Sequence, residues 1–313
     1  MPDIASTREY IDRLLEIPRA GEENIFAFYE HRIGLISKDP RVMLIPLDDH
    51  LIHRGDGVFE TVKYIGRKIY QLDAHLERME KNCRTIFIEP PVTFAVIRQR
   101  VIDVAKAADK DDGYLSLFIG RGPGGFSIDF RECPRSSLYI VARKFKHHPE
   151  IFWEKGVTAF KSEKPAKQSY MAKIKSVNYL PNVLMKKEAV DKGYDFALCF
   201  DENGYLAEGC IENVIIVDDQ GKIIIPDLSN ALSGTTLMRA LDLIKNETSF
   251  VFRSIQESEI YEAREVILLG TTLDAISVVR YNGKPIHDVR PGPVSKRLRQ
   301  LLIEDIRKDG LAF

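Results

Sequence analysis

The chain has 313 residues, 44% of them hydrophobic and 29% charged, which is enough apolar material for two ordinary domains. Its 45 basic and 46 acidic side chains give a net charge of −1, so no global field attracts a nucleic acid or an anionic membrane. No apolar run reaches the roughly 18 residues of a membrane span, and the N-terminus lacks a secretion pattern. Four cysteines without paired spacing suit a reducing compartment. We therefore expect a cytoplasmic protein that binds neither nucleic acid nor a membrane.

The first half of the chain reads as one helix followed by strands and helices. Apolar spacing predicts an amphipathic helix within 1–25, ended by Pro18 and Gly21, and residues 1–40 are therefore expected to form a helical extension. A small domain is expected over 41–146. Its predicted elements are strands at 42–47, 57–65 and 67–72, helices at 74–86 and 94–108, and strands at 114–119 and 137–145.

A polar stretch at 147–150 contains a proline, which predicts a linker over 147–155 and a larger domain over 156–313. Most strands of both halves come in hairpin pairs, which favours an α+β fold over a doubly wound parallel sheet. The predicted elements of the larger domain are a strand at 156–163, a helix at 183–192, hairpins at 195–209 and 213–226, a helix from Thr235, strands at 265–270 and 276–283, and a helix at 294–309.

Two short motifs carry little weight. The loop 120–125 reads G-x-G-x-x-G, but it contains Pro123 and leads into no helical pattern, so it is not expected to bind a dinucleotide. His50 and His53 lie near aspartates, yet their spacing is typical of a solvated turn rather than of a closed metal site. We therefore expect no metal.

Four segments of the second half together indicate a cofactor site. Lys175 is followed 33 residues later by Glu208 at the end of a strand, and then come the small-residue loop 232–238 at a helix start and a hydroxyl pair within 269–274. A helix N-terminus offers backbone N–H groups to a phosphate, a lysine can react with an aldehyde, and a carboxylate can hold a proton on a ring nitrogen. This set suits a phosphate-bearing aldehyde cofactor.

These segments, together with 54–62 and 75–79, resemble the class IV pyridoxal-phosphate enzymes, which include branched-chain aminotransferases, D-amino acid aminotransferases and aminodeoxychorismate lyases. The match covers roughly 41–286 with its motifs in order. The resemblance implies an α+β fold with a smaller N-terminal α/β sandwich and a larger C-terminal barrel-like domain, with pyridoxal 5'-phosphate between them. It also implies a homodimer in which a loop, here 121–130, reaches the partner's site.

The resemblance also implies residue roles. Lys175 would bind the cofactor aldehyde and act as the catalytic base, Glu208 would contact the ring nitrogen, and Arg78 would bind the phosphate. The other implied cofactor contacts are Tyr179, Leu232, Thr235, Thr236, Thr271 and Thr272. The residues expected to contact the substrate are Arg54, Phe59 and Arg121.

The substrate is less sharply indicated. The Lys-to-Tyr spacing at 175–179 and the stretch 55–58 look like the D-amino acid enzymes, but 124–128 lacks their R-x-H pair, so Arg54 or Arg121 would replace it. We expect a branched-chain-like aminotransferase acting between an amino acid and a 2-keto acid. The alternatives are a D-amino acid aminotransferase, a lyase of the aminodeoxychorismate type, and a non-catalytic cofactor-binding protein. A nucleic-acid or membrane module using the lysines of 161–175 is disfavoured, because such a stretch is typical of a solvated loop.

Overall fold

The computed structural model describes residues 3–313, apart from the side chain of Ser169, and forms two compact units. The N-terminal unit extends to Lys146 and also contains Leu311–Phe313, whereas the C-terminal unit is His147–Gly310. The helices are α1 Thr7–Glu16, α2 His50–His53, α3 Leu72–Thr85, α4 Phe94–Ala108, α5 Ile151–Lys155, α6 Ser169–Ala172, α7 Leu180–Asp191, α8 Thr235–Ile244, α9 Glu257–Glu262 and α10 Pro293–Asp309.

The strands alternate with these helices in both units. Those of the N-terminal unit are β1 Ile25–Glu30, β2 Leu35–Ser37, β3 Gly57–Ile65, β4 Lys68–Ile69, β5 Gly113–Gly120, β6 Ser137–Lys144 and β16 Leu311–Ala312. Those of the C-terminal unit are β7 Val157–Lys161, β8 Phe196–Phe200, β9 Leu206–Gly209, β10 Asn213–Val217, β11 Ile223–Ile225, β12 Phe250–Phe252, β13 Glu265–Gly270, β14 Asp274–Tyr281 and β15 Lys284–Pro285.

The N-terminal unit is built on a seven-stranded sheet in the order β16-β4-β3-β5-β6-β1-β2, with antiparallel neighbours. Helices α3 and α4 pack on it, α3 against β3 and α4 against β1 and β6. Met79 of α3 and Val101 of α4 are fully buried, which matches the apolar stripes that predicted both helices. This packing fixes α3 above β3.

Three segments of this unit differ from the sequence pattern. Residues 25–30 and 35–37, expected in a helical extension, are strands, because β1 finds its hydrogen-bond partners in β6 more than 100 residues away. Residues 42–47, expected to form a strand, instead follow a 3₁₀ turn at Pro40–Val42 and are irregular, with Leu47 71% exposed. An apolar run with no strand to pair with does not form a strand.

The boundary between the two units also differs in detail from the expected linker. Residues 151–155 form α5 and belong to the C-terminal unit, and the last three residues add β16 to the N-terminal sheet by pairing with β4. The pairing of β16 depends on a contact between residues about 240 positions apart, which no local pattern reveals.

The C-terminal unit contains a closed ring of six strands. Backbone pairing runs from β10 through β13, β14, β7, β8 and β9 and returns to β10. The two pairs that involve β7 are parallel and the other four are antiparallel, so the barrel is mixed. Its interior is apolar, with Leu198, Val214 and Leu268 almost fully buried. Such closure leaves no open edge in the ring and creates an end at which loops meet.

At one end of this barrel the register brings three strands together. Glu208 of β9 lies opposite Asn213 of β10, and Asn213 lies opposite Leu269 of β13. The loop that follows β13 therefore starts beside the end of β9. Over the described residues, 3–313, no helix is both long enough and apolar enough to cross a membrane.

Candidate active site

Lys175 lies in the segment between α6 and α7 and is held against Tyr179. Its Nζ donates a hydrogen bond to Tyr179 Oη over 3.2 Å and lies 5.6 Å from the centroid of the tyrosine ring. Its neighbours Ile174 and Ser176 are each only 3% exposed, while Lys173 is exposed. The backbone on both sides of Lys175 is thus anchored, and a half-buried amine is presented in a defined position.

Glu208 is the carboxylate of the site, and its surroundings favour the neutral form. Desolvation raises its pKa to about 7, although a backbone hydrogen bond from Leu232 and the positive charges of Lys167 and Lys175 act in the opposite direction. Leu232 N donates to Glu208 Oε2 over 3.0 Å. A carboxyl group with a pKa near neutrality can hold or release a proton at working pH.

The loop before α8 is tied to the barrel end by Asn213. Asn213 Nδ2 donates to the carbonyl of Leu232 over 2.7 Å, and Leu232 N donates to Glu208. Leu232 therefore links the loop to both β9 and β10. The side chain of Asn213 also approaches Gly234 so closely that a Cβ there would lie 1.9 Å from Asn213 Oδ1. A larger residue at that position requires the Asn213 side chain to move.

The start of α8 follows a glycine and carries two threonines. Gly234 is the N-cap residue and has no side chain with which to cap this helix end. Thr235 and Thr236 open the helix, where first-turn amides and the helix dipole favour a negative group. Thr271 and Thr272 lie half-buried in the turn between β13 and β14, at the same end of the barrel.

Arg78 belongs to a buried group in the N-terminal unit. Its Nε and Nη2 each donate to Glu60 over 2.7 Å, and His75 Nδ1 lies 2.7 Å from Glu60 Oε2. Burial alone would raise the pKa of Glu60, but the charges and hydrogen bonds of Arg78 and His75 lower it to about 2. The carboxylate is therefore ionised, and it holds the guanidinium in one plane.

The three residues expected to contact the substrate all have partners within the N-terminal unit. Phe59 stacks on Phe118, with ring centroids 6.1 Å apart. Arg121 donates to both carboxylate oxygens of Asp56, over 2.9 and 3.1 Å, and to two backbone carbonyls of residues 86–87. Arg54 donates to the carbonyls of residues 126 and 127. Both arginines thus fix the shape of their own unit.

The C-terminal unit brings together the predicted residues Lys175, Tyr179, Glu208 and Leu232, and it adds one that the motifs do not include. Lys167 Nζ lies 4.3 Å from the centroid of the Tyr179 ring. A lysine in a lysine-rich stretch carries no distinguishing pattern, so only its packing identifies it. Asn213 lies five residues after Glu208, and its role was not predicted because its hydrogen bond to Leu232 joins residues 19 positions apart.

The known proteins that this chain resembles are aminotransferases. A family model described as "Amino-transferase class IV" matches residues 57–281. The chain is 33% identical to a chloroplastic D-amino-acid transaminase of Arabidopsis thaliana, over 97% of this chain and 82% of that protein. It is 27% identical to a putative branched-chain-amino-acid aminotransferase of Methanocaldococcus jannaschii, over 86% of this chain and 92% of that protein. Its fold matches the T.th. branched-chain amino acid aminotransferase solved with pyridoxamine 5'-phosphate, with a TM-score of 0.85 at 23% identity over 90% and 94% of the two chains.

Proposed function

Because the chain belongs to the class IV aminotransferase family, we propose that it is a pyridoxal-phosphate-dependent transaminase of the branched-chain type. It would move the amino group of an amino acid to a 2-keto acid. The observation that carries this proposal is the arrangement at the barrel end, where Lys175 is bonded to Tyr179 and Glu208 is bonded to Leu232.

The residues of the C-terminal unit suit the cofactor. A half-buried primary amine, a carboxyl group with a raised pKa and a helix N-terminus that begins at a glycine match an aldehyde, a ring nitrogen and a phosphate in turn. At Gly234 the side chain of Asn213 leaves no room for a Cβ, so the backbone itself forms this part of the helix start. We propose that Lys175, Glu208, Leu232, Thr235, Thr236, Thr271 and Thr272 hold the cofactor. For Arg78 as a phosphate ligand the proposal rests on the resemblance alone.

The chemistry divides between the cofactor and the protein. When bound, pyridoxal phosphate supplies an aldehyde that reacts with amines and a ring that accepts electrons released at the substrate Cα. Lys175 Nζ takes the Cα proton and delivers it again, with Tyr179 Oη fixing where that nitrogen lies. Glu208 holds a proton at the ring nitrogen, and the Leu232 amide orients its carboxyl. The amides at the start of α8 bind the phosphate.

The decisive experiment replaces Lys175 by Ala. We expect loss of covalent cofactor binding, loss of the visible absorbance of the bound cofactor, and at least a 10³-fold lower kcat, because the variant lacks the amine that binds the aldehyde and takes the proton. Lys173→Ala is the matched control, since Lys173 is exposed two residues away. A Lys175→Ala enzyme that stays coloured and active would refute the proposal.

A second candidate substrate class is D-amino acids, which the 33% identity to the Arabidopsis thaliana D-amino-acid transaminase supports. The test is a panel of L- and D-amino donors with 2-oxoglutarate and pyruvate as acceptors. Preference for L-leucine or L-valine supports the branched-chain type, and preference for D-alanine supports the second candidate. Binding of the cofactor without transfer from any donor would favour a lyase or a non-catalytic binding protein.

We also propose that the protein is a homodimer. Three side chains of α7, Leu180, Val183 and Leu184, are 68%, 59% and 40% exposed, and Phe126 and Ile128 of the loop after β5 are 63% and 88% exposed. Apolar groups exposed in this density commonly mark protein interfaces. Sedimentation of the wild type and of Val183→Glu tests this, with a shift to monomer expected for the variant.

For its compartment we propose the cytoplasm. All four cysteines are free thiols, and burial raises the pKa of Cys83, Cys199 and Cys210 to about 12, so these three thiols remain protonated and unreactive. Such thiols suit a reducing compartment. Since one relative is named as chloroplastic, cell fractionation with an organelle marker is the direct test.

A further inference from the structure

Lys167 stands out among the lysines of the C-terminal unit because it shares one aromatic ring with the proposed catalytic lysine. Its Nζ lies 4.3 Å from the centroid of Tyr179, and Lys175 Nζ lies 5.6 Å from the same centroid. Lys175 also bonds to the hydroxyl of that ring. Two lysine side chains therefore converge on a single tyrosine, and when both are charged this arrangement is disfavoured by like-charge repulsion unless an anion lies nearby.

The anion near both lysines is Glu208. Burial is the main factor that lowers the pKa of Lys167, the charge of Lys175 lowers it further, and the charge of Glu208 raises it. The charges of the two lysines favour the ionised form of Glu208, and the charge of Glu212 opposes it. Lys167 and Glu208 are thus coupled without a motif that links them.

The chemistry of Lys175 gives a second lysine a distinct task. An amine reacts with an aldehyde only in its uncharged form, so Lys175 cannot both attack the cofactor and supply a positive charge. Lys167 need not attack the cofactor. Desolvation raises the pKa of Glu208 to about 7, and the positive charge of Lys167 acts against that rise.

We propose that Lys167 is a positioning residue that, through its contact with the Tyr179 ring, fixes the tyrosine to which Lys175 bonds. The inference rests on the proposed function and adds to it a residue with no assigned role. Lys167 acts through Tyr179 and need not touch the substrate.

The test compares Lys167→Met, Lys167→Arg and the control Lys161→Met as holoenzymes. Lys161 makes a similar contact, with its Nζ 4.5 Å from the Phe200 ring, but it pairs with Glu257 instead of Glu208. For each variant we would measure the absorbance of bound pyridoxal phosphate against pH, the cofactor dissociation constant, and kcat and KM.

For Lys167→Met we expect kcat to fall about tenfold, the midpoint of the absorbance titration to move by about one pH unit, and the KM of the amino donor to change less than about twofold. Lys167→Arg should restore kcat to within about threefold of the wild type, because it keeps the charge. Lys161→Met should behave as the wild type. A Lys167→Met variant too unstable to purify is replaced by Lys167→Gln, with the same expectations.

Three results would overturn the inference. Unchanged kcat and absorbance in Lys167→Met would show that Lys167 has no role in the reaction. A raised KM at unchanged kcat would show that Lys167 binds the substrate. Equal losses in the Met and Arg variants, with a lower melting temperature in both, would show a packing role alone. Failure of the proposed function is distinct from these, because the wild type itself would then lack bound cofactor and transfer activity.

Discussion

At the scale of single residues, spacing along the chain predicted the kind of cofactor. The order of Lys175, Glu208 and the hydroxyl-rich loops predicted a phosphate-bearing aldehyde cofactor, the resemblance of these segments to the class IV enzymes implied a transaminase, and the class IV family model confirms that family. The specific contacts came only from the structure. The bond from Leu232 N to Glu208 joins residues 24 positions apart, and the Lys167 contact with Tyr179 has no pattern in sequence.

The raised pKa of Glu208 makes the stability of the cofactor-free protein depend on pH. A carboxyl group with a native pKa of about 7, against an ordinary value of 4.5, contributes stability below pH 4.5 that is lost as the pH rises through about 7. Glu208→Gln has no such titration. Its unfolding free energy should fall less between about pH 5 and pH 8 than that of the wild type, by on the order of 2 kcal/mol.

Denaturant unfolding of the cofactor-free proteins at both pH values measures this difference. The control is Glu202→Gln, whose side chain is exposed in the turn before β9. An equal decline in wild type and Glu208→Gln would contradict the expectation.

At the scale of elements, the long helix α4 was predicted better than the strands near the N-terminus. The apolar stripe placed α4 at its observed bounds, and Thr93 caps it by accepting from Val96 N. The strand expected at 42–47 is absent and β1 was missed, since a strand depends on a partner and a helix on its own residues. The N-terminus of α10, like a strand, depends on a distant partner, because Glu265 caps it from 29 residues away.

The start of α8 provides a prediction about an element. In Gly234→Ala the new Cβ would meet Asn213 Oδ1, so the Asn213 side chain must move and its hydrogen bond to Leu232 is weakened. We expect roughly tenfold weaker cofactor binding and a loss of about 1–3 kcal/mol in unfolding free energy. Fluorescence titration with pyridoxal phosphate and denaturant unfolding measure the two effects.

Gly270→Ala is the matched control, because it lies at the same barrel end with its nearest neighbour at 3.7 Å, an ordinary contact distance. If both alanine variants bound the cofactor as the wild type does, the close approach at Gly234 would be unimportant for binding.

At the scale of the whole molecule, the α+β class followed from hairpin-linked strands, and the structural match with a TM-score of 0.85 confirms it. The closure of six strands into a barrel did not follow, because it depends on the pairing of β9 with β10 and of β14 with β7. Global stability is likewise set by distant contacts, among which the buried Glu60 group joins β3 to α3.

Removing that charge should destabilise the protein at neutral pH. Glu60→Gln leaves Arg78 without its carboxylate, and we expect a loss of about 3 kcal/mol in unfolding free energy. Since the pKa of Glu60 is lowered to about 2, its stabilisation is present above the ordinary value of 4.5 and is lost as the pH falls through about 2. The difference between variant and wild type should therefore shrink below about pH 4.

Thermal and denaturant unfolding at neutral and acid pH would measure this effect, with Glu77→Gln as control, because Glu77 is exposed on the same helix. A Glu60→Gln protein as stable as the wild type at neutral pH would show that the buried pair contributes no net stability.

The sequence by itself determined the family and the class of fold and predicted the reactive lysine, because each depends on residue types and on the order of motifs along the chain. The tertiary structure decided which strands close the barrel, where Glu208 finds the Leu232 amide, and that Lys167 lies over Tyr179. The pairing of β14 with β7, the Leu232–Glu208 bond and the Lys167–Tyr179 contact join residues separated by 12 or more positions. Their energies arise only when the chain is folded, so the local pattern of residues does not reveal them.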